Sequence, residues 1–277
     1  MTELNSQTGF LQAQGAPLYY EVAGEGEPLL LIHAGIADSR MWDEQFAVFA
    51  RHYRVIRYDQ RGYGQSQYPA GPFAYHEDPV ELLTSLGIES AHVVGISFGG
   101  LVALDFVLSH PQMVRSLVLV APSVSGTQPS EAVKRFQEEE EAYLERDDLD
   151  AASDLNVRVW VDGPRRTPEQ VDASVRERVR AMQRHAFTVP VPDGAELVKL
   201  QPPAIERLAE VRVPTLIVVG DYDLPDKLEL SQLLASRING AQLLVIEGVA
   251  HMVSMERPEQ FNQAVLSFLS RVSGADV

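Results

Sequence analysis

Between residues 91 and 108 the chain passes from an apolar run, Ala91-His92-Val93-Val94, through Gly95-Ile96-Ser97-Phe98-Gly99 into a second apolar run that starts at Gly100. A serine presented clear of its own backbone needs a sharp turn from strand to helix. The residues two places to either side of it must then be small. G-x-S-x-G meets both demands, and its flanks predict a buried strand before the turn and a buried helix after it. Leu101 to Leu108 is apolar nearly all round, as a helix enclosed on every side should be. Ser97 is therefore a candidate nucleophile at the junction of a strand and a helix.

A serine hydroxyl is a poor nucleophile at neutral pH. It needs a base, and the base needs an orienting carboxylate. Pro214-Thr215-Leu216-Ile217-Val218-Val219 reads as a buried strand running into Gly220-Asp221-Tyr222-Asp223. Ala241 to Ile246 reads as another, running into Gly248-Val249-Ala250-His251. Acid candidates, Asp221 and Asp223, and a base candidate, His251, thus follow Ser97 in order, each just past a strand. Among the other histidines, His52, His76 and His92 fall at helix ends or strand starts and are expected to face solvent. His110 precedes Pro111, where a helix should stop, and His33 ends a strand. No histidine pair has the H-E-x-x-H spacing of a metal site. No G-x-G-x-x-G follows a strand and no Walker lysine is present, so neither a metal nor a cofactor is expected.

Composition narrows the partners. The net charge of −16 disfavours nucleic acid and anionic membranes as partners. No run approaches the roughly 20 apolar residues of a membrane span. The start, Met1-Thr2-Glu3-Leu4-Asn5, lacks a signal peptide's basic and apolar segments. With no cysteine in the chain, disulfides and thiol catalysis drop out, and a cytoplasmic setting is expected.

The first part, Phe10 to Val22, reads as an edge hairpin turning at Gly15-Ala16. Strands are predicted at 28–33, 54–59, 91–96 and 117–121 with helical stretches between them. This alternation implies an α/β fold with a mainly parallel sheet covered on both faces. Near the end, Phe261, Val265, Phe268 and Leu269 form one inward helical stripe. Residues 123–207 break the alternation. Glu138 to Glu141 reads there as a solvated helix face, and Val189 to Gly194 as a punctuated loop.

These segments together resemble the α/β-hydrolase superfamily. Leu29 to Gly35 is similar to its strand ending in His-Gly, with Ala34 in the usual glycine place. Asp59-Gln60-Arg61-Gly62-Tyr63-Gly64-Gln65-Ser66 resembles its D-x-R-G-x-G-x-S turn, and Gly220 to Asp223 its acid loop. Gly248 to His251 with Glu256-Arg257-Pro258 resembles its histidine loop. The resemblance implies an eight-stranded sheet, with 1–122 and 208–277 as the core and 123–207 as a helical cap over the nucleophile. It favours Asp223 over Asp221, giving Ser97, Asp223 and His251 as the triad. It casts His33 as a brace of the oxyanion loop, and the N–H groups of Phe98 and Gly35 (or Ile36, if the loop is shifted by one) as oxyanion donors. Ile36, Trp160 and Met252 are candidate pocket residues, with Trp42, Phe98, Phe136 and Phe187 behind them. The activity implied is cleavage of a carboxyl ester, thioester or lactone through an acyl-enzyme on Ser97. Two alternatives are a C–C hydrolase of aromatic ring-cleavage products and a receptor of this fold with little turnover. The C–C reaction needs an anion clamp, and no dedicated one stands beside the elbow; Arg40 and the Arg165-Arg166 pair are candidates that read more simply as surface residues.

Overall fold

The computed structural model describes residues 5–274, so Met1 to Leu4 of the N-terminal stretch read above lie outside the described residues. The chain opens with an antiparallel hairpin of β1 (Ser6–Ala13) and β2 (Ala16–Ala23). Its turn falls at Gln14-Gly15, with φ of +46° and +85°, one residue before the turn expected from the sequence. Two left-handed residues suit the twist of a tight hairpin. Gln14 is held there although it is not glycine: its amide donates to Ala74 O and to Asp78 Oδ1.

The strands that follow are β3 (Pro28–Ile32), β4 (Arg54–Tyr58), β5 (Ala91–Ile96), β6 (Val114–Val120), β7 (Thr215–Gly220) and β8 (Gln242–Ile246). The eight strands form one sheet in the order β1-β2-β4-β3-β5-β6-β7-β8. β2 meets β4 antiparallel, and every pairing from β4 to β8 is parallel. β3 to β7 are buried over nearly their whole length, which is why they read as continuous apolar runs rather than alternating ones.

The core helices are α1 (Asp43–Phe49), α2 (Asp78–Ser85) and α3 (Phe98–Ser109). Between β6 and β7 lie α4 (Glu131–Leu144), α5 (Leu149–Asn156), α6 (Ala173–Ala186) and the short α7 (Ala204–Arg207). The chain ends with α8 (Pro225–Arg237), α9 (Val253–Glu256) and α10 (Pro258–Ser273). Because successive strand residues point to opposite faces, the sheet has two cores. Leu29, Leu31, Val55, Val94 and Val118 pack with Phe46, Phe261, Val265 and Phe268 on one face. Leu30, Ile32, Ile56, Val93 and Leu117 pack with Leu82, Val102, Phe106 and Leu234 on the other. Among the described residues no helix is long and apolar enough to cross a membrane.

Expectations about exposure fail at several positions: the side chain of Arg166, read as a surface residue, is only 6% exposed, and that of His76 only 12%. His92 is 2% exposed, not solvent-facing: its Nδ1 lies 2.8 Å from Ser116 Oγ on the neighbouring strand, and its Nε2 faces Glu27 and Ser273. In the acidic run of α4, Glu138, Glu139 and Glu141 are exposed, but Glu140 turns inward to accept from Asn156 Nδ2. Local pattern points both residues to solvent; partners distant in sequence bury His92 and half-bury Glu140.

Candidate active site

Parallel strands present their C-terminal ends along one edge of the sheet, where loops collect side chains from distant parts of the sequence. Ser97 follows β5, Asp223 follows β7 and His251 follows β8, so topology alone brings them to the same edge. Ser97 has φ +55° and ψ −114°, a strained conformation for a residue with a side chain. Its own N–H donates to Val120 O at 2.8 Å, which ties the turn to β6. The small neighbours are required by space. A Cβ on Gly95 would lie 2.2 Å from Gly99 O, and one on Gly99 would lie 2.3 Å from Ile32 O.

His251 is almost fully buried, and its Nδ1 lies 2.7 Å from Asp223 Oδ2. The other carboxylate oxygen of Asp223 accepts from Leu224 N at 2.8 Å, which fixes the carboxylate plane. Asp221 has a different partner: it accepts from Gly248 N at 2.6 Å and pins the start of the histidine loop. With Nδ1–H donated to Asp223, the His251 Nε2 is left as the acceptor. It is buried and has no hydrogen-bond partner. Ser97 and His251 line one cavity of about 1000 Å³, yet no hydrogen bond joins Ser97 to His251 Nε2. Such bonds are often loose before a substrate closes the site.

Across the cavity, Ala34 to Ala37 forms a turn closed by Ala37 N donating to Ala34 O, with Gly35 and Ile36 at its tip. Both line the cavity beside Phe98, the first residue of α3. A Cβ on Gly35 would come within 3.1 Å of Phe98 Cβ, so the turn lies hard against the start of that helix. The first N–H groups of that helix sit at the positive end of its dipole. His33 braces this turn from behind. Its Nε2 accepts from Gln60 N at 2.8 Å, so the Nδ1–H donates to Ala34 O at 2.8 Å. Burial lowers the pKa of His33 and keeps the ring neutral in that tautomer. The turn carrying Gln60 is itself fixed, since Asp59 accepts from Ser39 N and Gln65 N. Arg61 forms a fully buried ion pair with Asp78.

The helices between β6 and β7 supply the opposite wall. α5 continues into a single π-helical turn, Val157–Asp162, which carries Trp160. Trp160 O accepts from His251 N at 3.3 Å, and its ring lies 4.8 Å from the imidazole, centroid to centroid. Phe136 meets the indole edge-on. The π turn ends the helix, with Gly163 at φ +73° as its C-cap. Arg166 locks the turn to the histidine loop. It donates to Val161 O and Asp162 O and forms a buried ion pair with Glu256, which also accepts from Ala250 N.

Of the residues expected to line a pocket, Ile36, Trp160, Phe98, Phe136 and Phe187 do so. Met252 does not. It is fully buried in the core, because the residue after His251 points away from the cavity. Trp42 likewise packs on Phe261 inside the core. Arg40 pairs with Asp38 and Arg166 with Glu256, and neither lines the cavity. Sequence reasoning missed Tyr63, Tyr75, Asp105 and Lys227, all of which line it. Asp105 accepts from Ser125 Oγ at 2.7 Å, and burial pushes its carboxyl up to about 6. Among the described residues no group of three or more His, Asp or Glu side chains is placed to hold a metal ion.

Strand order, the strained serine turn and the edge cavity define a class, and comparison with known proteins agrees. Residues 27–258 match the family of the alpha/beta hydrolase fold, and the chain belongs to it. A protein of Azorhizobium caulinodans with the provisional name carbamate hydrolase RutD is 30% identical, over 93% of this chain and 96% of that protein. Among solved structures, a hydrolase from Pseudomonas aeruginosa PA01 has a TM-score of 0.78 and 32% identity, covering 95% of this chain and 98% of its own. Est816, described as an N-acyl homoserine lactone degrading enzyme, has a TM-score of 0.74 and 29% identity, covering 94% and 100%.

Proposed function

We propose that this hydrolase cleaves a carboxyl ester, thioester or lactone through an acyl-enzyme on Ser97, under a cap formed by residues 123–207. One observation carries the reading: the Asp223–His251 hydrogen bond, with the free, buried His251 Nε2 on the cavity that holds Ser97. In this reading Nε2 takes the Ser97 proton as Oγ attacks the carbonyl carbon, and Asp223 stabilises the imidazolium. The N–H groups of Phe98 and Gly35 receive the negative charge of the tetrahedral intermediate. In known enzymes one such donor is worth about 3–4 kcal/mol. His251 then returns the proton to the leaving group, and water activated by the same nitrogen releases the acid. The provisional carbamate hydrolase name and the lactone-degrading description of two relatives support attack on an acyl carbon next to oxygen or nitrogen.

The test is hydrolysis of 4-nitrophenyl acetate. We expect a burst of nitrophenolate followed by steady turnover, with both lost in Ser97→Ala. Binding of acyl compounds without turnover would point to a receptor instead. Full activity in Ser97→Ala would remove the serine from the mechanism.

A further inference from the structure

Lys227 stands on the inward stripe of α8 with Ser231 and Leu234, where an apolar residue is the ordinary occupant. It is only 7% exposed and lines the active-site cavity. Its Nζ donates to Ser123 Oγ at 2.9 Å, approaches Pro122 O at 3.5 Å and lies 5.8 Å from the centre of the Trp160 ring. These contacts border the reacting centre, since Ser123 N donates to Ser97 O and the Trp160 ring lies tilted against His251.

No carboxylate among the described residues forms an ion pair with Lys227. Asp223 and Asp226 act on it only at longer range, and Asp223 is committed to His251 and Leu224 N. The other charged groups on this cavity leave it equally unmatched. Glu140 is taken by Asn156 and Asp105 by Ser125, Glu229 and Lys199 are exposed, and Asp226 keeps one buried oxygen unpaired. An ammonium removed from water is costly unless it is paired, and one hydroxyl with one distant carbonyl is poor compensation for three donors. Burial lowers the Lys227 pKa accordingly.

We propose that Lys227 anchors a carboxylate carried by the substrate, so that the preferred substrates are half-esters or lactones bearing a free acid away from the scissile bond. An incoming carboxylate would complete the pairing that the fold leaves open, through a charge-assisted hydrogen bond in a site sheltered from water. This rests on the hydrolase reading above, because the acid would be held while the acyl carbon faces Ser97. The negative net charge of the chain is no obstacle, since a fixed local cation outweighs distant, screened surface charge.

Calorimetric titration of Ser97→Ala, which cannot form the acyl-enzyme, with monomethyl adipate and with dimethyl adipate tests the anchor independently of turnover. The half-ester should bind roughly tenfold or more tighter than the diester, the size expected of one hydrogen bond to a charged group. Adding Lys227→Met should abolish that preference, with far-ultraviolet circular dichroism checking that the variant is folded. Equal binding of the two adipates by Ser97→Ala, or a preference that survives Lys227→Met, overturns the proposal. The first comparison keeps Lys227 and decides the matter even if the double variant misfolds. If the half-ester is preferred but the wild-type chain hydrolyses no ester, the anchor stands and the serine-hydrolase reading falls. If esters are hydrolysed without any preference for the acid, the reverse holds.

Discussion

The indole of Trp160 lies 4.8 Å from the imidazole of His251, and the Trp160 carbonyl accepts the His251 backbone N–H. One residue of the segment between β6 and β7 thus touches both the ring and the main chain of the candidate base. Truncating Trp160 to alanine should lower kcat/KM for simple esters by about tenfold or more through lost orientation of the ring, whereas Trp160→Phe should retain most activity. Steady-state kinetics on both variants checks this. Equal losses would show that ring packing is not what matters.

The two aspartates of the acid loop should separate cleanly. Asp223→Asn should reduce kcat by about 10⁴, because the amide favours the wrong imidazole tautomer. Asp221→Asn weakens only the bond to Gly248 N and should lower the melting temperature with less than a tenfold effect on kcat. Parallel kinetics and thermal melts distinguish them, and the opposite ranking would move the acid to Asp221.

Much of this was readable in the chain. The five central strands are apolar runs buried on both faces, and the order of Ser97, Asp223 and His251 follows from where strands end. What escaped depends on contacts between distant residues. His92 reads as a strand-start histidine until Ser116 and Glu27 close over it. Lys227 reads as an ordinary helix charge unless its place on a stripe with Ser231 and Leu234 is noticed, a signal that was available. Met252 sits next to the candidate base, yet sequence adjacency says nothing about which way its side chain turns.

Arg166 and Glu256 form a buried pair between the Trp160 turn and the histidine loop, with side chains 6% and 4% exposed. Arg166→Met strands the carboxylate and should destabilise the fold by about 3–5 kcal/mol. Adding Glu256→Gln should recover part of that loss. Denaturant unfolding of both variants tests the pairing, and simple additivity of the two substitutions would argue against it.

Asp105 gives a pH-dependent test of stability. Its carboxyl is raised to about 6 in the fold, above the ordinary 3.8, so the folded state holds the proton more tightly than the unfolded chain. The cost of ionising it is absent below about pH 4, grows as pH rises through that window and is complete above about pH 6. Asp105→Asn removes this cost while keeping an acceptor for Ser125. The variant should be more stable than wild type at pH 8, by about 3 kcal/mol, and this advantage should shrink as pH falls towards 4. An advantage that does not change with pH would contradict the assignment.

The most direct measurement of the central claim is mapping of a fluorophosphonate adduct by peptide mass spectrometry. One adduct per chain, on the peptide containing Ser97, absent in Ser97→Ala and strongly slowed in His251→Ala, is the predicted result. Labelling at another residue, or labelling of Ser97 that proceeds undiminished without the His251 imidazole, would contradict the account.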